Sequence, residues 1–505
     1  MTSILKWDRG GRINNTSCLI FGGIGLTAVW ISHGWHRRRR RSSSSRTYQE
    51  QQLGDDDVID SISSTTLTAH EQLIENGTPL IKLRRVSKLI RRSIYVKMES
   101  MNPGGTGKDR AALNMIRMAE KEGKLPPATT ASSGNCDDNL FLHPSLPAVT
   151  ATNKNTNTTT TTENELETMV LRAIERSRTG GLVVEGTSGS TGIALATLCA
   201  SRGHACLVVL PDDQAVEKQR ILRALGAIVY EVPTASISNP KHYVNLARKA
   251  ALLAREKFGM SAVFIDQFEN LSNFDIHYNQ TGPELWKQLD GRRLDAFVMS
   301  SGTGGTISGM ATFLKEKKKQ NRQQNNHRNH LHNLLRFIGL HYFDDDDDDN
   351  VKIQIVLVDP PGSALYNKVE HGVAYAVEQR ERSLRKHRYD TIAEGIGLDR
   401  VTRNFSSGFD CIDSAIRVTD QEAVDMAHWI LHIEGLWIGS SSAMNVVGAM
   451  RTALSLSEGS SVATIICDGG QRHATRFWDP TFIQEWGLQW PGTDCIPECL
   501  QSIQN

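Results

Sequence analysis

The sequence predicts an α/β protein in which parallel sheets are covered by helices. Short apolar segments alternate with stretches whose apolar residues recur every three or four positions. The first pattern is typical of buried parallel strands, and the second of helices that bury one face. The predicted strands are Leu182–Val184, Cys206–Leu210, Val263–Ile265, Ala296–Met299, Ile353–Val358 and Val462–Ile466. The predicted helices span 191–202, 214–226, 305–317 and 421–432. Ligands of such folds bind at the carboxyl ends of the strands.

The composition is that of an ordinary globular enzyme. The 505 residues are 39% hydrophobic and 22% charged, which suits a large core and more than one domain. A formal net charge of +1 gives no reason to expect a nucleic-acid partner. The eight cysteines are scattered, and only Cys495 and Cys499 lie close together. Since no second pair or histidine cluster accompanies them, we expect no metal site.

An apolar segment near the N terminus, Cys18–Trp35, is just long enough to cross a bilayer as a helix. We expect residues 1–15 to form a tail, 16–35 a transmembrane signal anchor, and 36–68 a basic, serine-rich flexible linker. The arginine run at 37–41 should keep the rest of the chain in the cytosol. A cleaved secretory peptide and a buried hydrophobic hairpin are the alternatives, although the small-residue cleavage site of the former is missing.

Two polar tracts interrupt the remaining region, residues 69–501. One covers about 126–164 and is rich in threonine and asparagine, and the other covers about 315–350 and ends in six aspartates. Such compositions bury too little apolar surface to offset the entropy of ordering the backbone. We therefore expect two disordered surface insertions that carry no chemistry.

A lysine stands in a glycine-rich turn, Asn102-Pro-Gly-Gly-Thr-Gly-Lys108, directly before a helical pattern. Further glycine-rich turns, at 185–192, 301–306 and 467–471, follow predicted strands. Backbone N–H groups of such turns form anion-binding concavities at helix starts. A lysine amine that is partly desolvated is a carbonyl-binding nucleophile. The combination favours an enzyme that holds an aldehyde cofactor by its phosphate and by a lysine.

These motifs resemble those of the fold-type II pyridoxal-phosphate enzymes, which are tryptophan synthase β-like. The matching patterns are N-P-G-G-x-x-K-D-R at 102–110, E-x-T-S-G-x-T-G at 185–192, Q-F-x-N at 267–270, T-G-P-E-x-W at 281–286 and G-T-G-G-T at 302–306. They are specific to the cysteine synthase branch, and the chain looks most like its membrane-anchored fungal mitochondrial members. The resemblance runs from about Thr78 to Leu488, without the two insertions. It implies two domains, a smaller mobile one at about 105–260 and a larger one formed by the rest.

The resemblance also implies a set of site residues. Lys108 corresponds to the catalytic Schiff-base lysine. The loop Gly302, Thr303, Gly304, Gly305 and Thr306 would hold the phosphate of pyridoxal 5'-phosphate. The loop Thr187, Ser188, Gly189 and Thr191 would bind the substrate carboxylate, with Gln267 adding a side-chain donor. A surface lysine, a packing turn and a structural glutamine are the alternatives for Lys108, the 302–306 loop and Gln267.

Two positions depart from the family pattern. Ser190 stands where most members have an asparagine that is thought to contact the phenolic oxygen of the cofactor. Asp468, or Gly469 after it, stands where a neutral serine usually faces the pyridine nitrogen. An aspartate at that place would keep the ring protonated, because its charge favours the protonated nitrogen. The alternative for Asp468 is a turn residue that caps the following segment.

By resemblance the reaction is the β-replacement of O-acetylserine by sulfide, giving cysteine and acetate. A serine or threonine dehydratase and a cystathionine β-synthase are the nearest alternatives, and a membrane-tethered pseudoenzyme or scaffold is an alternative of another class. The resemblance further implies a homodimer. We expect the mitochondrial outer membrane as its location, with the endoplasmic reticulum as the alternative.

Overall fold

A computed structural model describes residues 67–128, 162–235, 237–337, 352–376, 391–492 and 496–501. The predicted tail at 1–15, the predicted anchor at 16–35 and nearly all of the linker at 36–68 lie outside this part of the chain. Within it, no helix is both long enough and apolar enough to span a membrane. Cys495 and residues 129–161 and 338–351 also lie outside it.

Ten strands form two sheets in the described residues. They are β1 (Leu80–Lys82), β2 (Ser93–Lys97), β3 (Gly181–Gly186), β4 (Ala205–Pro211), β5 (Ile228–Val232), β6 (Ser261–Phe264), β7 (Ala296–Ser300), β8 (Gln354–Asp359), β9 (Ser414–Arg417) and β10 (Ser461–Ile465). One sheet has the order β1-β2-β10-β7-β8-β9, and the other has the order β5-β4-β3-β6. Every neighbouring pair is parallel except β1 and β2.

Helices connect the strands and cover the sheets. They are α1 (Ala69–Asn76), α2 (Arg84–Ile90), α3 (Lys108–Lys121), α4 (Thr162–Arg176), α5 (Ser190–Arg202), α6 (Val216–Ala224), α7 (Tyr243–Glu256), α8 (Ser272–Ile276), α9 (Gly282–Leu289), α10 (Gly305–Phe337), α11 (Leu365–His371), α12 (Arg403–Ser406), α13 (Asp420–Glu434), α14 (Ser440–Ser455), α15 (Pro480–Glu485) and α16 (Glu498–Gln501). A π-helical turn, His277–Thr281, joins α8 to α9.

The hydrophobic cores lie on both faces of each sheet. In the four-stranded sheet, Val183 and Val208 pack with α3 and α5, whereas Val184 and Leu207 pack with α4 and α7 on the opposite side. This division follows from the strand geometry, because successive side chains point to opposite faces. The six-stranded sheet is likewise packed by α13 and α14 on one face and by α10 on the other. The structure therefore confirms the predicted parallel sheets with helices on both sides.

The predicted disorder of the second polar tract is wrong for its first part. Residues 315–337 continue α10, which runs to Phe337. Between Met310 and Phe337 the chain has no glycine or proline, and its four lysines, four leucines, three glutamines and three arginines favour helix and outnumber its five asparagines, which do not. The first predicted insertion, about 126–164, also extends too far toward the C terminus, since α4 begins at Thr162.

Candidate active site

A cavity of about 390 Å³ lies where several strands reach their carboxyl ends. The loops after β2, β3, β7 and β10 each contribute to its wall. It therefore has the location that open parallel sheets favour for a ligand. Most of the residues predicted from the sequence line it: Lys108, Thr187, Ser188, Ser190, Thr191, Gln267, Gly302, Thr303, Gly304, Thr306 and Asp468.

The two remaining predicted residues, Gly189 and Gly305, stand behind the wall of the cavity. A Cβ at Gly189 would lie 2.6 Å from Cδ of Lys218, and φ of Gly189 is +126°. A Cβ at Gly305 would lie 2.5 Å from Oδ1 of Asn273. These glycines let the loops approach their supports closely, which no larger residue permits.

Lys108 is the first residue of α3 and reaches the cavity from the turn after β2. Its backbone N–H donates to Oγ1 of Thr106 at 2.9 Å, and the N–H of Gly104 donates to Asp109 Oδ2 at 2.7 Å, which closes the turn. The Lys108 amine itself has no hydrogen-bond or ion-pair partner among the described residues. Desolvation lowers its pKa, so the amine is easier to deprotonate than an ordinary lysine.

A buried ion-pair network holds α3 immediately behind Lys108. The Arg110 guanidinium donates to both carboxylate oxygens of Glu99, at 2.8 and 2.9 Å, and to Glu284 at 2.8 Å. Lys97 also pairs with Glu284. Burial alone would raise the pKa of Glu99, but Arg110 and the neighbouring donors outweigh it and lower the pKa to about 2. Both Glu99 and Arg110 are therefore charged at neutral pH.

The glycine loop at 302–306 links the end of β7 to the start of α10. A Cβ at Gly302 would lie 2.1 Å from the carbonyl oxygen of Gly395, and Gly304 has φ +88° beside the backbone of Phe405. The Thr303 hydroxyl accepts a hydrogen bond from Asn273 Nδ2 at 2.8 Å. The positive end of the α10 dipole and the free N–H groups of the first helical turn make this loop suited to a phosphate.

His277 supports the same loop from the π-helical turn. Its ring nitrogens lie 3.0 Å from Oγ1 of Thr281 and 3.1 Å from Oγ1 of Thr306. Burial lowers the pKa of His277 to about 3. The ring is therefore neutral at physiological pH, and one of its nitrogens accepts a hydrogen bond.

Acidification should destabilise the protein through His277. The unfolded chain takes up the proton near pH 6.5 and the native state only near pH 3, so stability falls as pH drops between those values, by up to about 1.4 kcal/mol per pH unit. Urea unfolding at about pH 7 and pH 5 should show a loss in wild type that exceeds the loss in His277→Gln by about 2 kcal/mol. The exposed His432→Gln should behave like wild type. Equal losses in wild type and His277→Gln would contradict the buried neutral ring.

The loop at 187–191 follows β3 and contacts Gln267. The Thr191 hydroxyl donates to Gln267 Oε1 at 2.6 Å, and Gln267 Nε2 donates to Glu185 Oε1 at 3.1 Å and to the carbonyl of Gly186. The amide group of Gln267 is thus engaged within the protein, whereas the sequence predicted a donor aimed at the substrate. Burial, together with nearby Asp266, raises the pKa of Glu185 well above its usual range.

The two positions that depart from the family pattern both reach the cavity. Ser190 begins α5, and its hydroxyl has no partner in the described part of the chain. Asp468 Oδ2 lies 2.9 Å from His473 Nε2, and its buried Oδ1 has no hydrogen-bond partner there. Burial would raise the pKa of Asp468, but His473 outweighs it and lowers the pKa. The alternative that Asp468 caps the following turn is wrong, since that turn, Gly470–His473, has Gly469 as its N-cap residue and no side-chain cap.

Three further residues of the cavity wall were missed by sequence reasoning. Lys218 of α6 forms an ion pair with Glu394, and both are almost fully buried. Cys467 lies beside Asp468, and burial raises the pKa of its thiol to about 12, so it stays protonated. Lys218 and Glu394 are far apart in the chain, and no local pattern indicates their pairing. Cys467 is the first residue of the predicted glycine turn 467–471, which was the available signal.

The donor set fits pyridoxal phosphate. A phosphate needs several N–H groups at one point, which the start of α10 provides. An aldehyde needs an uncharged amine, and the desolvated Lys108 in the same cavity meets that requirement. A pyridine nitrogen needs a buried polar partner, and Asp468 Oδ1 is an unpartnered buried acceptor in the cavity wall.

Comparison with known proteins agrees with this fit. The family model described as pyridoxal-phosphate dependent enzyme matches residues 72–136 and 155–468. A Saccharomyces cerevisiae protein described as "Putative mitochondrial cysteine synthase" is 38% identical over 81% of this chain and 83% of its own length. Cysteine synthase 2 of Schizosaccharomyces pombe is 36% identical over 84% of this chain and 87% of its own length.

The solved structures support the fold. The crystal structure of O-ureido-L-serine synthase matches with a TM-score of 0.54 at 23% identity, and the match covers 84% of this chain and 96% of the other. At that identity the similarity concerns the fold alone. The family model and the 36–38% identical relatives show that this chain belongs to the family of pyridoxal-phosphate-dependent enzymes.

Proposed function

We propose that this enzyme is a cysteine synthase that replaces the acetate of O-acetylserine by sulfide. The observation that carries the proposal is one cavity lined by Lys108, whose amine has no partner among the described residues, and by residues of two glycine loops. Relatives described as cysteine synthases, at 32–38% identity over most of the chain, indicate the same reaction. The cofactor, when bound, supplies an electron sink that acidifies the Cα–H bond of the substrate.

Lys108 acts as the acid and base of this reaction. Its amine would hold the aldehyde carbon of the bound cofactor and, when the substrate amine takes that place, would be free to take the proton from Cα. Acetate then leaves with the electron pair of the Cβ–O bond. Sulfide forms the new bond at Cβ, and Lys108 returns the proton to Cα. The lowered pKa of the Lys108 amine makes it a usable base near neutral pH.

The other residues bind and orient. Gly302–Thr306 holds the phosphate with its N–H groups and hydroxyls, and His277 fixes the rotamer of Thr306. Ser190 lines the cavity at the position of the family asparagine, and its hydroxyl would contact the phenolic oxygen. Asp468 Oδ1, which has no hydrogen-bond partner in the described part of the chain, would accept from the pyridine nitrogen, while His473 holds Oδ2. A negative partner keeps that nitrogen protonated.

Thr187, Ser188, Gly189 and Thr191 form the site of the substrate α-carboxylate. The 187–191 loop precedes α5, so its N–H groups and hydroxyls face an incoming anion. Gln267 then acts mainly as a positioning residue, because its oxygen accepts from Thr191 and its NH₂ group is bound to Glu185 and Gly186. Movement of a smaller domain at about 105–260 over this carboxylate would exclude water from the cavity.

Replacing Gln267 by alanine should raise KM for O-acetylserine about tenfold with a small change in kcat. The variant frees the Thr191 hydroxyl, so the carboxylate loop loses one buried hydrogen bond of about 1–2 kcal/mol. Steady-state kinetics would show the split, and the visible absorbance of the lysine-bound cofactor should stay unchanged. Gln288→Ala, which changes a glutamine outside the cavity, is the control. An equal fall of kcat with unaltered KM would contradict the positioning role.

The reaction itself is tested by product analysis. The full-length enzyme should form cysteine from O-acetylserine and sulfide much faster than cystathionine from serine and homocysteine. The second reaction is the specific rival, because an Apis mellifera cystathionine beta-synthase is 29% identical over 82% of this chain. Faster cystathionine formation would replace our proposal by that one, and bound cofactor without any turnover would favour a scaffold.

We also propose a location and an assembly for the enzyme. The apolar segment at 16–35 would anchor it in the mitochondrial outer membrane with the catalytic region in the cytosol, and the catalytic region would pair as a homodimer. The sequence pattern at 1–68 and the mitochondrial description of the S. cerevisiae relative support the location. Carbonate extraction and protease treatment of intact mitochondria test the anchor and its orientation. Release by carbonate would exclude a spanning segment.

A further inference from the structure

A strongly basic surface lies outside the catalytic cavity, at the edge of the six-stranded sheet. Residues 80–93 contain six cations and no acidic residue, although the whole chain is nearly balanced with 57 basic and 56 acidic residues. The structure gathers them along β1, α2 and the turn into β2. We call this surface the basic patch; it consists of Lys82, Arg84, Arg85, Lys88, Arg91 and Arg92.

The basic patch surrounds a groove. Five of its cations, all except Arg85, line an open groove of about 450 Å³ together with Ser87, Ser93 and Gly459. Arg92 forms one wall and is fixed by hydrogen bonds to the carbonyls of Leu456 and Ile90. The groove therefore presents converging positive charge around hydroxyl groups, which is the chemistry that recognises phosphate oxygens.

Little in the protein neutralises this charge. Lys82, Arg84 and Lys88 are exposed and have no acidic partner among the described residues. Among the described residues, Arg91 forms a loose, solvent-exposed pair with Glu458 at 3.5 Å. Another carboxylate next to α2, Glu434, accepts from the backbone N–H of Val86. Cations that are left unpaired side by side repel one another, so an external anion stabilises them.

Apolar side chains accompany the charges. Leu89 is 43% exposed, and it follows Arg85 by four residues, which places both on the outer side of α2. Ile81, on the edge strand β1, is 38% exposed. Exposed apolar residues interleaved with lysine and arginine are typical of surfaces that lie against an anionic bilayer. A soluble phosphate ligand would leave these two side chains in water.

We propose that the basic patch docks the catalytic body onto anionic phospholipids, with a lipid phosphate group in the groove. The predicted anchor at 16–35 precedes the patch by about fifty residues, and such a tether raises the local concentration of the bilayer at the patch. Docking would fix the orientation of the catalytic region at the membrane, which the anchor alone would not determine.

Hydrogen–deuterium exchange of the full-length enzyme on vesicles tests this docking. The peptide covering 80–93 should exchange about tenfold more slowly on vesicles that contain phosphatidate than on pure phosphatidylcholine vesicles, because each basic residue near an anionic surface strengthens its attraction about fivefold. Exchange at β9, on the opposite edge of the sheet, and at α7, which packs on the other sheet, should not respond. Equal exchange of 80–93 on both vesicles would overturn the proposal.

Charge reversal supplies the matched comparison. The triple variant Lys82→Glu, Arg84→Glu, Lys88→Glu should lose the protection on phosphatidate vesicles and keep its activity with O-acetylserine, which shows that it is folded. Lys121→Glu, Arg172→Glu, Arg220→Glu changes the net charge equally at exposed positions elsewhere and should keep the protection. Retained protection in the first variant, or its loss in the second, would overturn a specific patch.

A further experiment distinguishes a lipid ligand of the groove from a soluble anion. Inorganic pyrophosphate added to the enzyme on phosphatidylcholine vesicles should not protect 80–93 at physiological ionic strength, since it offers no apolar surface to Leu89 and Ile81. Protection by pyrophosphate equal to that by phosphatidate would overturn the lipid proposal and identify a soluble polyphosphate site.

Discussion

Replacing Lys108 by alanine should lower cysteine formation by about a thousandfold or more, because the proposed mechanism uses this one amine as cofactor ligand, base and acid. The other lysine among the described residues that line the cavity, Lys218, cannot take over at low cost, since its amine is held by Glu394. The variant should also lose the visible absorbance of the lysine-bound cofactor. Its fold should persist, because the Lys108 side chain has no partner in the described protein and helix α3 is held by Arg110.

Helix α3 offers a control at its other end. Lys121 is the last residue of the same helix and is exposed, so Lys121→Ala should retain wild-type activity and absorbance. Borohydride reduction of the wild-type enzyme followed by peptide mass spectrometry gives a readout that does not depend on turnover. The mass of the cofactor should be found on the peptide that contains Lys108. Its attachment to another lysine would refute the assignment.

The sequence was most informative where function constrains the backbone. Gly302 must be a glycine because a Cβ would collide with the carbonyl of Gly395, and the lysine turn must close tightly around Asp109. Such local demands leave short motifs that can be read without a structure. Most central strands, although not β2, were predicted for a similar reason, since strands buried on both faces read as continuous apolar runs.

Contacts between segments that are distant in the chain do not produce short sequence motifs. The orientation of the Gln267 amide is decided by Glu185, which is eighty-two residues earlier, and the pairing of Lys218 with Glu394 spans 176 residues. The extent of α10 was missed for another reason. Polar composition suggested disorder from residue 315, but helix propensity continues across a segment that lacks glycine and proline.

Four strands escaped prediction: β1, β2, β5 and β9. Strands β1 and β9 have three and four residues whose side chains are exposed or only partly buried, so neither produces a continuous apolar run. Both lie at the margins of the six-stranded sheet, where their side chains are only partly buried. Strand β1 carries Lys82 of the basic patch. One of the strands that the sequence did not predict therefore lies in the surface for which we infer membrane contact.

Replacing Arg110 by methionine should destabilise the enzyme by about 3–5 kcal/mol, because it leaves Glu99 and Glu284 buried with too little positive charge. Arg110 is completely buried and Glu99 is 1% exposed, so water cannot compensate. Such a loss is a large part of the stability of a typical domain. Urea unfolding measures it.

Comparison variants separate charge from packing. Arg117→Met removes an arginine from the same helix. Arg117 pairs with the exposed Glu75 at 2.8 Å and loosely, at 3.5 Å, with the buried Glu71, which keeps its ion pair with Arg202, so the change should cost about 1 kcal/mol. Adding Glu99→Gln to Arg110→Met should recover part of the loss, because the unpaired charge is the main cost of the single change.

The stability that the Arg110–Glu99 pair contributes should also depend on pH. Because the pKa of Glu99 is lowered to about 2, wild type should lose this stability as pH falls below about 4.5, and the difference in unfolding free energy between wild type and Arg110→Met should shrink there. If the free energy of unfolding of Arg110→Met were no lower than that of Arg117→Met, the ion-pair network would not stabilise the helix that carries Lys108.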